Sequence, residues 1–234
     1  MRLLTGALLA GVASCLLAAG AVAQTPKKGG ELIFAVTAEP PNYDCHANTS
    51  FAFVHPVIPH YSTLLTFSGA DYPKIVGDLA ESWTVSDDGK TYTFKLFDGV
   101  KFHDGSSLTS ADVKASYDRI INPPDGVVSA RKATFSDVSS VEAPDAHTVV
   151  FHLSNPNASM LQYFASPFNC IYSAAKLKEN PKYPETNIMG SGAFTFVEHV
   201  NGSSWTDKRF DGYFRKDRPY LDGYKAVFMK SGNV

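Results

Sequence analysis

The sequence predicts a mixed α/β chain of the strand-rich α+β kind. Three observations lead there. Apolar and polar residues alternate along several short runs, the period of a half-buried strand. Asp-Gly occurs six times, at Gly89, Gly99, Gly105, Gly126, Gly212 and Gly223, and each is a candidate tight turn. Only one segment carries a well-marked helical pattern. The irregular spacing of the Asp-Gly pairs argues against a repeat architecture.

In chain order, Glu31-Leu32-Ile33-Phe34-Ala35-Val36 is a short apolar run suited to a buried strand. Trp83-Thr84-Val85 is followed, across Ser86-Asp87-Asp88-Gly89-Lys90, by Tyr92, Phe94 and Leu96 alternating with polar neighbours, so the two runs should form a hairpin. Thr109 and Asp112 stand in capping-box positions before an apolar face of Val113, Tyr117, Ile120 and Ile121. Asn122-Pro123-Pro124-Asp125-Gly126 ends that helix. Val149, Phe151 and Leu153 alternate after a turn at Pro144-Asp145. Shorter helices are expected over residues 158–164 and 173–179. Phe194 to Val200 reads as a strand entering Asn201-Gly202, a strong hairpin signal, with a return strand through Trp205.

The chain has 234 residues, with 21 Lys and Arg against 23 Asp and Glu, a balance that gives no electrostatic case for nucleic acid. Hydrophobic residues make up 44%, which is globular rather than disordered composition. The aromatic supply, 16 Phe, 11 Tyr and 2 Trp, suits a large core or a stacking surface.

Met1 to Ala23 reads as an export signal. Arg2 is its only charge, an apolar stretch follows, and Ala21-Val22-Ala23 fits a signal peptidase before the polar Gln24-Thr25-Pro26. Val12-Ala13-Ser14-Cys15 is a rival, lipobox-like cut that would tether the chain through Cys15, but the residues after it stay apolar, unlike a lipoprotein tether. The expected location is therefore periplasmic. Beyond residue 23 two cysteines remain, Cys45 and Cys170. In an oxidising compartment they are disulfide candidates, a bridge worth about 5 kcal/mol by chain entropy. Two separate buried thiols are the alternative, and spacing does not decide between them.

No catalytic pattern stands out. HExxH, GxSxG and a Walker loop are all absent from the sequence. Asp44, Cys45, His46, His55 and His60 fall close together, yet their spacing matches no standard zinc pattern, and Pro56 and Pro59 are expected to prevent a helix from aligning the later histidines. A secreted metal-binding or hydrolytic protein using Asp44, Cys45 and His46 is kept as the rival function. His103-Asp104 invites a dyad reading; a turn carboxylate at Asp104-Gly105 is the simpler one.

The tract from Leu79 to Leu96, Leu-Ala-Glu-Ser-Trp-Thr-Val-Ser-Asp-Asp-Gly-Lys-Thr-Tyr-Thr-Phe-Lys-Leu, resembles the extracytoplasmic solute-binding proteins of ABC importers, family 5, the peptide, oligopeptide and nickel binders. Gly99-Val100-Lys101-Phe102-His103-Asp104-Gly105 and Leu108-Thr109-Ser110-Ala111-Asp112-Val113 continue the likeness. So do Val141-Glu142-Ala143-Pro144-Asp145, Gly190-Ser191-Gly192-Ala193-Phe194 and Pro219-Tyr220-Leu221-Asp222-Gly223, although Ser191 and Ala193 depart from the usual Gly-Thr-Gly-Pro-Phe.

That resemblance implies a periplasmic-binding-protein-like type II fold: lobe I with an inserted subdomain, the second lobe absent. Residues 24–48 would begin lobe I, 49–187 form the inserted subdomain, and 188–234 return to lobe I as an amino-terminal fragment. It implies a non-enzymatic monomer that captures a small-molecule or peptide ligand and hands it to an ABC permease, without cofactor and without nucleic acid. A fragment that binds nothing, with half its cleft missing, is the other outcome kept open. The loop after the first strand, Thr37, Ala38, Glu39 and Pro40, is the segment the family places beside its ligand, with Glu39 a receptor for an ammonium or hydroxyl group and Tyr43 a stacking candidate.

Overall fold

The computed structural model describes residues 26–229, so the expected export signal lies outside the described residues. The strands are β1 (Glu31–Val36), β2 (Leu65–Phe67), β3 (Ile75–Gly77), β4 (Ala80–Val85), β5 (Thr91–Leu96), β6 (Val138–Asp145), β7 (Thr148–Leu153), β8 (Phe194–Val200), β9 (Ser204–Arg209) and β10 (Gly223–Phe228). The helices are α1 (Phe51–Val57), α2 (Ser110–Ile121), α3 (Met160–Phe164) and α4 (Ala174–Glu179). Two four-stranded sheets, in the orders β1-β10-β9-β8 and β4-β5-β7-β6, flank a small β2-β3 ribbon.

The second sheet is antiparallel throughout, and alternation along its strands is what builds its core. Tyr92, Phe94 and Leu96 on β5, and Val149, Phe151 and Leu153 on β7, turn inward and are buried. Helix α2 lays Val113, Tyr117 and Ile120 on them. Phe164 of α3 closes the cluster, edge-on to Phe94 with ring centroids 5.0 Å apart and tilted against Phe151 at 4.7 Å. The capping box holds: the Thr109 N–H donates to Asp112 Oδ2 at 2.8 Å.

The first sheet pairs β1 parallel to β10, with β9 and β8 antiparallel beyond. Its core gathers Trp205, Tyr224, Ala226, Phe53 and Val57. Residues 45–61 and 170–177 also pack there, with α1 against β10 and α4 on α2, while residues 64–171 supply most of the second core. A disulfide joins Cys45 to Cys170 inside this first core.

One expectation needs correction. The run Glu31–Val36 is an edge strand rather than a buried one: among the described residues it pairs with β10 alone, leaving Leu32 51% and Ile33 62% exposed. The prolines fall within helical turns and, as expected, no one helix aligns the two histidines. Pro56 lies inside α1 and Pro59 in the single 3-10 turn that follows. His55 and His60 part company, His55 stacking on Phe51 while His60 is fully buried against Asp207, Nε2 to Oδ1 2.8 Å.

Gly190-Ser191-Gly192 shows why glycine stands there. A Cβ on Gly190 would lie 2.2 Å from the His60 carbonyl oxygen, and one on Gly192 2.4 Å from that of Pro59. Bare backbone lets the two chains touch, and the Gly192 N–H donates to the His60 carbonyl at 2.9 Å. His103 completes the joint between the sheets: its N–H reaches the Gly190 carbonyl at 2.8 Å and its Nε2 the Gly192 carbonyl at 3.0 Å. Asp104 takes the Ser106 N–H and hydroxyl at 2.9 and 2.6 Å, the turn role expected of it.

Candidate functional site

Parallel pairing puts the carboxyl ends of β1 and β10 side by side, Val36 opposite Phe228. The β8-β9 turn emerges at the same end, where the Phe228 N–H donates to the Ser203 carbonyl at 2.8 Å. Ligands of α/β sheets bind at such carboxyl ends. Here the rim carries a cleft of about 630 Å³ lined by Glu39, Pro40, Pro41, Asn42, Tyr43, Glu185, Thr186, His199 and Asn201.

The loop after β1 is held in place by its own polar groups. Asn42 Oδ1 accepts from the Asp44 N–H at 3.0 Å and from Asn48 Nδ2 at 2.7 Å. The Tyr43 N–H donates to the Glu185 carbonyl at 3.1 Å. Buried Trp205 is the floor: the Tyr43 ring meets it edge-on at 5.2 Å, with His199 at 5.2 Å and Phe196 at 4.8 Å.

Glu39, His199 and Tyr43 form one chain of hydrogen bonds. His199 Nε2 lies 2.9 Å from Glu39 Oε2, and its Nδ1 2.9 Å from the Tyr43 hydroxyl. Burial raises the Tyr43 phenol above its usual value, and the Glu39 charge adds to the effect, so the phenol keeps its proton. Of the five ligand candidates in the sequence, Glu39, Pro40 and Tyr43 line the cleft; Thr37 and Ala38 are exposed on the approach to it.

His199 was not legible from period-two alternation, which groups it with Thr195 and Val197, away from Phe196. A β-bulge between Phe196 and Glu198 inserts one residue and reverses the parity, so Phe196 and His199 face Trp205 together. Glu185 and Thr186 arrive from a remote turn, and no sequence signal connects them to the loop.

Asp44, Cys45 and His46 form a structural cluster. Arg119 grips Asp44 with both terminal nitrogens, at 2.6 and 3.1 Å. His46 Nδ1 accepts from Arg119 at 3.0 Å and its Nε2 donates to the Cys170 carbonyl at 3.0 Å, while Cys45 is tied up in the disulfide. Burial would raise the Asp44 carboxyl, but the Arg119 fork and its charge hold it below the usual carboxylate range. Burial pushes the His46 imidazole down to about 4. Among the described residues no group of three His, Cys, Asp or Glu is arranged to hold a metal ion, and no helix is long and apolar enough to cross a membrane.

The model of the bacterial extracellular solute-binding proteins, family 5, matches residues 74–234. The chain belongs to that family. Among curated family-5 relatives, the glutathione-binding protein GsiB of Pectobacterium atrosepticum is 35% identical over 149 residues, 64% of this chain and 29% of that protein. GsiB of Escherichia coli K12 is 34% identical over the same shares. The chain therefore spans under a third of the length of these relatives. Among solved structures, AgaA of A. tumefaciens R10 in complex with agropinic acid superposes with a TM-score of 0.79 at 37% identity, covering 86% of this chain and 40% of that one. The ABC transporter-associated periplasmic binding protein DppA of Helicobacter pylori, in complex with the peptide STSA, gives 0.77 at 27%, covering 87% and 43%. The fold is accordingly that of a periplasmic binding protein, and family-5 members are solute-binding rather than catalytic proteins.

Proposed function

We propose that this chain is the first lobe of a periplasmic solute receptor, which captures a small peptide or a comparably polar, amino-acid-derived solute and delivers it to an ABC permease. The observation that carries the reading is the polar cleft at the carboxyl ends of β1 and β10, where the loop with Glu39 and Tyr43 lies. Family membership and the named ligands of the relatives support the solute class: glutathione and the peptide STSA both carry an ammonium and a carboxylate. Capture needs hydrogen bonds and stacking, not bond chemistry, and the cleft supplies two carboxylates, two amide side chains, an imidazole and an aromatic face.

On this reading residues 24–48 and 188–234 belong to lobe I, residues 49–187 form an inserted subdomain, and residues 1–23 direct export. Thr37, Ala38, Glu39, Pro40 and Tyr43 face the solute, and the protein works as a monomer. One lobe offers one side of a clamshell, so this chain alone binds weakly.

NMR titration of the labelled chain with glutathione, tripeptides and opines tests this. The expected result is that amides of Glu39, Tyr43, His199 and Asn201 shift together at millimolar solute, with the solute recovered unchanged. Cleft amides unmoved by every compound, or turnover of any of them, would overturn the receptor reading. Sub-micromolar affinity would overturn the one-lobe part of it.

A further inference from the structure

The amino ends of β8 and β10 border a second cavity, away from the cleft at their carboxyl ends. Strand β8 spans seven residues, which sets the two openings about 20 Å apart. The cavity measures about 810 Å³ and lies between the β2-β3 ribbon and the loop leading from β9 to β10. Phe67, Val76, Phe194 and Leu221 give it apolar walls, and Asp78, Arg215 and Arg218 are its charged groups. The size suits a small organic molecule. Two guanidiniums against one carboxylate leave one positive charge in excess.

That excess falls on Arg218. Arg215 is committed to the protein: its Nη2 donates to the carbonyls of Gly77 at 2.7 Å and Asp78 at 2.9 Å, and lies 3.5 Å from Asp78 Oδ1. The loop from 210 to 222 holds three further carboxylates, and each is taken by another cation. Arg209 holds Asp211 at 3.0 Å and Asp222 at 2.6 Å, while Lys28 holds Asp217 at 2.7 Å. Among the described residues the Arg218 side chain has no hydrogen bond and no ion pair. Its guanidinium lies over the Tyr220 ring, 4.2 Å from the centroid. A guanidinium held against a ring face keeps its edge of N–H donors available, the fork that a carboxylate accepts.

We infer that this cavity is a second ligand site, which takes a small amphipathic monocarboxylate, its carboxylate on Arg218 and its apolar body on Phe67, Val76, Phe194 and Leu221. Asp78 faces the same space, so one negative charge is matched and a second is not. The site uses none of the residues that line the cleft around Glu39 and Tyr43, and it stands or falls apart from the receptor reading.

The probes are 3-phenylpropanoate and 3-phenylpropanamide, which share one apolar body and differ in a single charge at about pH 7. In an NMR titration of the full chain, the acid should shift the amides of Thr66, Val76, Tyr220 and Leu221 at about millimolar concentration. It should bind about fivefold more tightly than the amide. Arg218→Gln alters an exposed side chain and should bring the acid down to the level of the amide while leaving the affinity of the amide unchanged. Lys216→Gln removes an exposed cation of the same loop that does not line the cavity, and should keep the preference. Equal binding of the two probes overturns the inference, as does a preference that survives Arg218→Gln or disappears in Lys216→Gln. So does a response confined to the cleft around Glu39, or no response to either probe.

Discussion

Arg119 shows how much of this fold hangs on single side chains. It is 3% exposed and holds Asp44 and His46, both fully buried, in one network. Removing one partner of a buried pair strands the other, at a cost of about 3–5 kcal/mol. Arg119→Met should therefore lower the urea unfolding free energy by that amount, and Asp44→Leu combined with Arg119→Met should recover most of it. A single-variant loss under about 1 kcal/mol would show that the pair is not the strut described. His46 adds a pH dependence whose sign follows from burial. Its folded-state value of about 4 lies below the ordinary 6.5, so the ring is neutral in the fold and the unfolded chain binds the extra proton. Stability from this group is complete above pH 6.5 and is lost as the pH falls toward 4, roughly 3 kcal/mol in all. Burial lowers His103 to about 4 as well, in the same window. Unfolding measured across that window should show the decline, and His46→Gln should flatten part of it.

At the scale of elements, α2 illustrates which signals a sequence carries openly. Its capping box was readable because Thr109 and Asp112 are three residues apart. Asp112 has a second task that was not: Oδ1 accepts the Ala174 N–H at 2.8 Å, tying α2 to the start of α4. Thr109→Ala should cost about 1 kcal/mol, the usual value of a cap. Asp112→Ala should cost clearly more, because it frees donors at two helix starts; equal losses in urea denaturation would remove the second task. The hairpins β4-β5 and β8-β9 were legible for the same local reason, alternation flanking Asp-Gly or Asn-Gly turns, whereas the turn expected at Pro144-Asp145 falls one step later, at Ala146-His147, because both residues still belong to β6 and Asp145 pairs with Thr148. The elements that escaped are those set by distant contacts. Helix α1 contains Pro56 and has no side-chain cap, β2 and β3 are three residues each, and β10 opens with Gly223 at a spot where a Cβ would meet the Asp207 carbonyl at 2.4 Å. The site divides likewise. Glu39 and Tyr43 were candidates because the family resemblance places the loop after β1 beside the ligand, whereas His199 depends on a bulge.

Across the whole molecule, the loop that carries the site is anchored at one end by β1 and at the other by the Cys45–Cys170 disulfide. The two cysteines are 125 residues apart, which puts the chain-entropy contribution of the bond at about 5 kcal/mol, with roughly 2–5 kcal/mol the usual cost of losing one. The location of that bond matters more than its size. Cys45 lies two residues beyond Tyr43, and its N–H donates to the Tyr172 hydroxyl at 2.7 Å, in the same cluster that fixes Asp44. Freeing Cys45 therefore slackens the segment that holds Tyr43 against Trp205 and His199 before it threatens either sheet. A Cys45→Ala, Cys170→Ala double variant should unfold at lower urea concentration, and its hydrogen exchange should rise first at the Tyr43 amide, which bonds the Glu185 carbonyl, while amides in β5 and β7 stay protected. If exchange rises uniformly across both sheets, or not at all at Tyr43, the disulfide is a general staple and not the anchor of the cleft. If it rises first at the loop, oxidation state and the cleft are coupled through a few residues of backbone, and the double variant should also show smaller cleft-amide shifts with tripeptides.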